Sequence, residues 1–296
     1  MLGGWVEAAY EHELVGELTP VYVGERPIVL VRDEERLRAV DAVCPHRGAN
    51  LGFGGRLDDG AIVCPFHGHR IRLGSASGAG FSVAEHPLLG YGGMIFVLLG
   101  EPRDNGLARH LERLARDHVF VPGFTIHVHA RPELVVENAF DASHFAPVHG
   151  VSDEPRFAVR PSEDGEFAVE GEMAVPRSRW HRVETETAHL RFVARAFSPN
   201  LVISELEAEF PYTVITAATP ARAGGSVVRV SLAVPRYADG SGPDAELCRY
   251  ILDYSRQGIE DDAAIWEHMC ELDRPAYTPG DVAVQAFAEF CAGYRA

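Results

Sequence analysis

The chain contains no lysine. All 27 of its basic residues are arginine, set against 43 acidic ones for a formal net charge of −16. That balance leaves no basic footprint for nucleic acid or an anionic membrane as the main partner. Long apolar runs are also missing. The longest, Met94 to Leu99, is far short of the roughly 20 residues that a membrane-spanning helix needs. The opening Met1-Leu-Gly-Gly-Trp5 has neither the basic nor the apolar region of a signal peptide. Five cysteines are an odd count without disulfide rhythm. A reducing, cytoplasmic setting is the expectation from these features. Cys248, Cys270 and Cys291 fall in a helical C-terminal region and are expected to be buried free thiols. No Gly-x-Gly-x-x-Gly nucleotide fingerprint occurs.

What is present is a pair of loops, Cys44-Pro45-His46 and Cys64-Pro65-Phe66-His67, with seventeen residues between them. Each offers one thiolate and one imidazole. A [2Fe–2S] cluster held by two Cys on one iron and two His on the other would be redox-active, at roughly −150 to +300 mV. Zinc on the same four groups would be redox-silent and structural. The spacing favours the cluster, because zinc sites usually leave two to four residues between paired cysteines and three to five between paired histidines. Here each pair mixes Cys with His, so each loop can give one ligand to each iron. Gly48 and Gly68 follow the loops, and a residue without a side chain lets backbone N–H groups approach sulfur.

At 296 residues the chain can bury two cores. Val21–Val23, Ile28–Val31, Leu37–Val43, Ala61–Val63 and Met94–Leu99 read as short strands of a small β-domain with the Cys/His loops at its tip. The polar joint Gly100–Gly106 follows, and Leu107 to His118 has the spacing of a linker helix. Strands are expected at Phe124–His129 and Glu133–Val136, then a short helix near Asn138–Ala146. Longer strands span about Arg156 to Pro235. Pro243 to about Leu272 reads as a long helix, and Asp281–Tyr294 as a final one. The domains are set at 1–105, 106–124 for the linker helix, and 125–296, an α+β organisation.

The second constellation is Glu137-Asn-Ala-Phe-Asp141-Ala-Ser-His144-Phe-Ala-Pro147-Val-His149. Asp141 and His144, three apart, share a helix face. His149 would turn off that face on an unbroken helix. Pro147 disfavours helical geometry at Ala146, so a break there is expected to swing His149 back. Two imidazoles plus a carboxylate form the facial triad of non-haem Fe(II) oxygenases, with positions left open for O2. The carboxylate is sought in Glu260-Asp261-Asp262-Ala-Ala-Ile265-Trp266-Glu267. Such a run is commonly a solvated helix face, but Asp262 precedes the apolar Ile265 and Trp266 and can border the buried side. Asp261 is the second choice.

The Cys-x-His and Cys-x-x-His pair, followed by Asn-x-x-Asp-x-x-His-x4-His, resembles the terminal oxygenase component of Rieske non-haem iron oxygenases. The Asp-x-x-Ile-Trp-Glu stretch resembles the ketosteroid 9α-hydroxylase and cholesterol 7-desaturase branch. The resemblance implies a Rieske β-domain beside a helix-grip catalytic domain, assembled as a head-to-tail homotrimer. It implies a [2Fe–2S] cluster on Cys44, His46, Cys64 and His67, and a mononuclear Fe(II) on His144, His149 and Asp262, with O2 as cosubstrate. It gives Asp141 the role of an electron-transfer bridge between a cluster histidine and an iron histidine, His67 and His144. The electron donor would be a ferredoxin or flavin reductase driven by NAD(P)H. The substrate would be an apolar small molecule, steroid-like or a secondary metabolite, to be hydroxylated, desaturated or demethylated. His69 stands where many relatives carry tryptophan.

Other residues have plainer alternatives. Asn138 either orients the iron site or opens a helix, and Glu137 is structural. His69, His86, His127 and His129 lie outside the ligand spacing and read as surface or core residues. Trp180 and Trp266 read as core. Arg47, Arg70 and Arg72 either form a positive patch for an acidic redox partner or brace Asp58 and Asp59. Two further function classes stand beside the oxygenase. An electron carrier needs only the first 105 or so residues and leaves Asp141, His144 and His149 unexplained. A zinc-structured protein would close over a hydrophobic ligand without turnover.

Overall fold

In the computed structural model, residues 3–34, 36–74, 80–100, 105–151, 154–176, 187–207, 210–237, 239–270, 272 and 274–295 are described; Trp180 lies outside them. The N-terminal strands are β1 (Gly4–Tyr10), β2 (Leu18–Val23), β3 (Arg26–Asp33), β4 (Arg36–Asp41), β5 (Arg56–Asp58), β6 (Ala61–Val63), β7 (Arg70–Leu73), β8 (Ser82–Val83), β9 (Glu85–His86), β10 (Leu88–Tyr91) and β11 (Met94–Leu99). They form three small sheets, ordered β1-β11-β10, β2-β3-β4-β9 and β5-β6-β7-β8. The five strands expected from sequence correspond to β2, β3, β4, β6 and β11. β1 has no counterpart among them. Its burial on both faces erases the period-two signal that marks a half-exposed strand.

Helix α1 (Leu107–Ala115) leads into the second half, whose strands are β12 (His118–Val128), β13 (Ala158–Arg160), β14 (Phe167–Pro176), β15 (Thr187–Ser198), β16 (Leu201–Glu207), β17 (Tyr212–Pro220) and β18 (Ser226–Pro235). They make one antiparallel seven-stranded sheet in the order β12-β18-β17-β16-β15-β14-β13. Helices α2 (Pro132–Glu137), α3 (Phe145–His149), α4 (Ala245–Trp266) and α5 (Val282–Ala292) complete the fold. Asp244 caps α4, its side chain accepting the Glu246 N–H at 2.8 Å, which satisfies one of the free donors of the first turn. This long helix over an antiparallel sheet is the helix-grip form that the resemblance implies.

Alternation along the strands sends side chains to two different cores. Val202 and Leu206 of β16 and Val228, Val230 and Leu232 of β18 face the helices α4 and α5. Leu201, Ile203, Ile215, Ala217 and Ala233 face the other way, onto Trp5, Tyr10, Phe96 and Leu111 of the N-terminal module. The backbone of β1 is pinned there by side chains of the large sheet. Ser198 Oγ donates to Trp5 O at 2.6 Å and Thr219 Oγ1 to Glu7 O at 2.8 Å. The Tyr10 hydroxyl donates to Val230 O at 3.0 Å. The Glu7 side chain is fully buried in this seam, and neither of its oxygens has a hydrogen-bond partner among the described residues. Burial pushes its carboxyl up to about 8, against the pull of the Arg229 guanidinium.

Several expectations are corrected. Glu133–Val136 is not a strand but most of α2. Pro132 starts that helix, where its missing N–H costs nothing, and the β-branched Val135 and Val136 are buried by it. The linker helix stops at Ala115, and residues from His118 pair with β18; Val119, Phe120 and Val121 suit a strand better than a helix. The long helix is two residues shorter at its start and ends at Trp266. Cys248 and Cys291 are buried as expected, but Cys270 is exposed, because it lies beyond the end of α4. Among the described residues, no helix is long and apolar enough to cross a membrane.

Candidate active site

The two Cys/His loops share one backbone design. In each, the cysteine carbonyl accepts the N–H of a glycine four residues on, Gly48 at 2.9 Å and Gly68 at 3.0 Å. Each cysteine N–H donates to a carbonyl five residues on, Ala49 and His69, both at 2.8 Å. Gly48 and Gly68 sit at φ +77° and +70°, a region that costs other L-residues roughly 1–2 kcal/mol. An added Cβ would meet nothing within 4 Å, so the requirement is for backbone conformation alone. Cys44 and Cys64 point inward and are buried, while His46 and His67 are exposed with ring centroids 4.8 Å apart. Burial pushes the Cys44 thiol up, and the neighbouring Cys64 thiol adds to it. A bound metal would reverse that shift by taking the thiolates as ligands. Inner sulfurs and outer imidazoles suit a cluster with both cysteines on one iron and both histidines on the other.

The surroundings of the loops decide several alternatives. His69 is not a remote surface residue: its ring stands edge-on to His46 at 4.5 Å and 5.0 Å from Phe81. His86 bonds Asp41 at 2.9 Å and is structural. His127 and His129 are exposed, and Trp266 is buried core. Arg70 is tied to Asp58 and lies 3.9 Å from Asp59, which is the bracing arrangement. Arg47 instead lies over the Phe66 ring at 5.8 Å. Val43, Phe53 and Phe66 leave the tip with exposed apolar surface.

The second site forms where α3 meets α4. The break between α2 and α3 falls at residues 138–144, and α3 then runs through Pro147. This corrects the expected break at Ala146. Pro147 sits in the first turn of α3, where its absent N–H has no intrahelical partner to lose. His144 caps α3 and His149 ends it, and Gly150 stops the helix in a left-handed conformation. The two imidazoles converge, with Nε2 atoms 3.2 Å apart. Asp262 on α4 is buried, and its Oδ1 lies 3.4 Å from His149 Nε2. The ligand atoms of the three residues lie within 4.8 Å of one another. Asp261 points elsewhere and accepts from Gln257 at 2.9 Å.

Two converging imidazole nitrogens beside a buried carboxylate fit a divalent cation, which satisfies all three at once. His144 Nδ1 donates to the backbone carbonyl of Asp141 at 2.6 Å, which leaves Nε2 as the free lone pair. Burial lowers the His144 pKa, partly offset by Asp262, and so favours the neutral, ligating form. Asp141 Oδ1 accepts the Ser143 N–H at 2.9 Å. Glu137, one turn earlier, is pushed up to about 7 by burial and then by Asp141. Asn138 ends α2 and lines the same cavity as the triad.

That cavity, about 200 Å³, is walled chiefly by apolar residues such as Val135, Met173, Phe192, Leu206 and Ile259. Phe192 meets Phe145 at 6.1 Å, and Phe145 flanks His144 at 4.3 Å. Sequence reading does not find these wall residues. For those on β14 to β16 the only signal is the period-two pattern of the strands, which does not say which face carries the site.

Residues 4–86 match the Rieske [2Fe-2S] domain, and residues 102–288 match the 3-ketosteroid 9α-hydroxylase C-terminal domain. Cholesterol 7-desaturase of Xenopus laevis is 32% identical over 165 residues, 49% of this chain and 36% of that protein. The match therefore spans little more than a third of that relative's length. Aminopyrrolnitrin oxygenase of Pseudomonas fluorescens is 23% identical over 99% of this chain and 91% of its own. The structure of dicamba monooxygenase bound to 3,6-dichlorosalicylic acid superposes with a TM-score of 0.73 at 20% identity. It covers 99% of this chain and 96% of that one, a likeness of fold. With both domain matches in tandem, and the second covering more than half of the sequence, this chain belongs to the Rieske oxygenases, whose cofactors are a [2Fe–2S] cluster and a mononuclear iron.

Proposed function

We propose that the chain is the terminal oxygenase of a multicomponent system that oxidises an apolar small molecule with O2. The observation that carries this reading is the meeting of His144, His149 and Asp262 on the wall of an apolar cavity. In this reading Cys44, His46, Cys64 and His67 hold the [2Fe–2S] cluster, and His144, His149 and Asp262 hold Fe(II). Those groups supply the electron storage and O2 chemistry that no side chain here can. The protein's own part is positional. The Asp141 carbonyl fixes the His144 tautomer, Asp262 brings one negative charge, and the cavity walls exclude water around a bound substrate.

Asp141, whose carboxylate is 31% exposed and 3.9 Å from His144 Nδ1, would be the link to a cluster histidine, His67, across a homotrimer interface. Electrons would arrive from NAD(P)H through a separate ferredoxin or flavin reductase docking on the exposed tip around Val43, Phe53, Phe66 and Arg47. The cholesterol 7-desaturase likeness supports a steroid-like substrate, and the aminopyrrolnitrin oxygenase likeness a secondary metabolite. Hydroxylation is the reaction put forward, with desaturation and demethylation as other outcomes of the same site. The setting put forward is the cytoplasm, where thiols stay reduced.

The test is the purified protein. Red-brown colour, a Rieske EPR signal on reduction and iron in excess of the cluster's two atoms are expected. With a surrogate reductase, substrate screening should give O2-dependent products whose mass assigns the reaction. Colourless, zinc-containing protein would overturn the reading, and a cluster without further iron would leave only an electron carrier.

A further inference from the structure

We propose that Ser204 and Thr216 are the specificity-determining pair of the cavity, anchoring one carbonyl or hydroxyl oxygen of an otherwise apolar substrate. The inference rests on the cavity being the substrate site. Val202, Ser204 and Leu206 of β16 and Tyr212, Val214 and Thr216 of β17 all line it, as expected for alternate residues on one face of paired strands. The register sets Val202 opposite Thr216 and Ser204 opposite Val214. Ser204 and Thr216 are therefore diagonal neighbours, close enough to address one ligand group.

Their surroundings make them unusual in the wall. Both are only half-buried, opening onto the cavity, and neither hydroxyl has a hydrogen-bond partner among the described residues. Ser255, on the opposite wall, is different: its hydroxyl donates to Ile251 O at 2.9 Å and is already satisfied. In the open cavity, water would serve the Ser204 and Thr216 hydroxyls. A pure hydrocarbon would displace that water and leave two hydroxyls stranded, whereas a ligand oxygen would replace it. A site built in this way rejects the analogue that lacks the polar atom, because its own groups are left unpaired. Each hydroxyl is also a donor and an acceptor, so a ketone and an alcohol are both suitable and no ionic group is needed.

Matched probes test this on the metal-loaded protein without O2 or reductant, by equilibrium dialysis. The pairs are androstane and its ketone, adamantane and adamantanone, and bornane and camphor. At least one ketone is expected to bind roughly tenfold more tightly than its hydrocarbon. That preference should fall to about one in the Ser204→Ala/Thr216→Val double variant, whose thermal midpoint reports that it still folds. Equal binding of ketone and hydrocarbon, a preference that survives in the double variant, or no binding of any probe would each overturn the assignment. Metal analysis of the same sample keeps the two readings apart. Ketone preference in zinc-loaded protein would support the anchor while overturning the oxygenase, and iron-loaded protein without preference would do the reverse.

Discussion

His144 donates its Nδ1–H to the backbone carbonyl of Asp141 at 2.6 Å, while the Asp141 carboxylate stands 3.9 Å from the same nitrogen. Orientation of the imidazole and the charge beside it are therefore supplied by different atoms of one residue. A side-chain substitution can remove the second and keep the first.

Asp141→Asn should accordingly retain both metals, since the carbonyl still fixes the His144 tautomer. Turnover should fall by at least about tenfold, within the usual range for groups that support a ligand. Iron content, the reduced EPR spectrum and product formation, measured on one preparation, check this. Near-normal turnover would remove Asp141 from the electron path, and loss of iron would mean that the carboxylate holds the ligand after all.

The two carboxylates of α4 separate in the same way. Asp262→Asn removes the buried charge 3.4 Å from His149. It should cost the mononuclear iron more than about a hundredfold in affinity, with the visible spectrum of the cluster unchanged. Asp261→Asn removes only a bond to Gln257 and should leave iron content and turnover as they were. The reverse pattern would reassign the ligand.

Much of this is legible in the sequence because the signals are local. Cys44 to Gly48 and Cys64 to Gly68 specify their loops through short-range bonds, and His144 and His149 belong to one short segment. Asp262 is legible through its place before the buried Trp266, although Ile265, taken as a second mark of the buried side, is 48% exposed. What is not legible depends on partners distant in sequence. Leu134-Val135-Val136 has the composition of a strand, and its burial against the core overrides that propensity in favour of a helix. Pro147 reads as a helix breaker, although a helix starting at Phe145 accommodates it. Nothing near Glu7 announces Arg229, because β1 and β18 meet only across the seam between the two halves.

Glu7 makes that seam dependent on pH. Its carboxyl is raised from 4.5 to about 8 in the folded chain, so the native state holds a proton that the unfolded state has released. The resulting stabilisation is fully present below pH 4.5 and is lost as pH rises toward about 8, a few kcal/mol in all. Glu13 and Arg229 are the charged neighbours, and Arg229 limits the loss. Glu7→Gln should flatten this slope, giving a variant whose thermal midpoint exceeds that of the natural chain increasingly from about pH 5 to 8. Parallel pH profiles for the two proteins would place Glu7 in ionised form throughout.

Gly258 sits inside α4 and lines the cavity, where an added Cβ would meet His149 Cε1 at 3.8 Å, an ordinary contact. Replacing a helix-interior glycine by alanine stabilises by about 0.8–1 kcal/mol, so Gly258→Ala should raise the thermal midpoint. The same methyl occupies space beside His149, and KM should rise for bulky substrates with less effect on small ones. Gly258→Leu should close the cavity and abolish binding while the metals remain. If Gly258→Ala gains stability with unchanged KM across substrates of graded size, the glycine is not there to make room, and the reacting carbon must approach the triad from another wall.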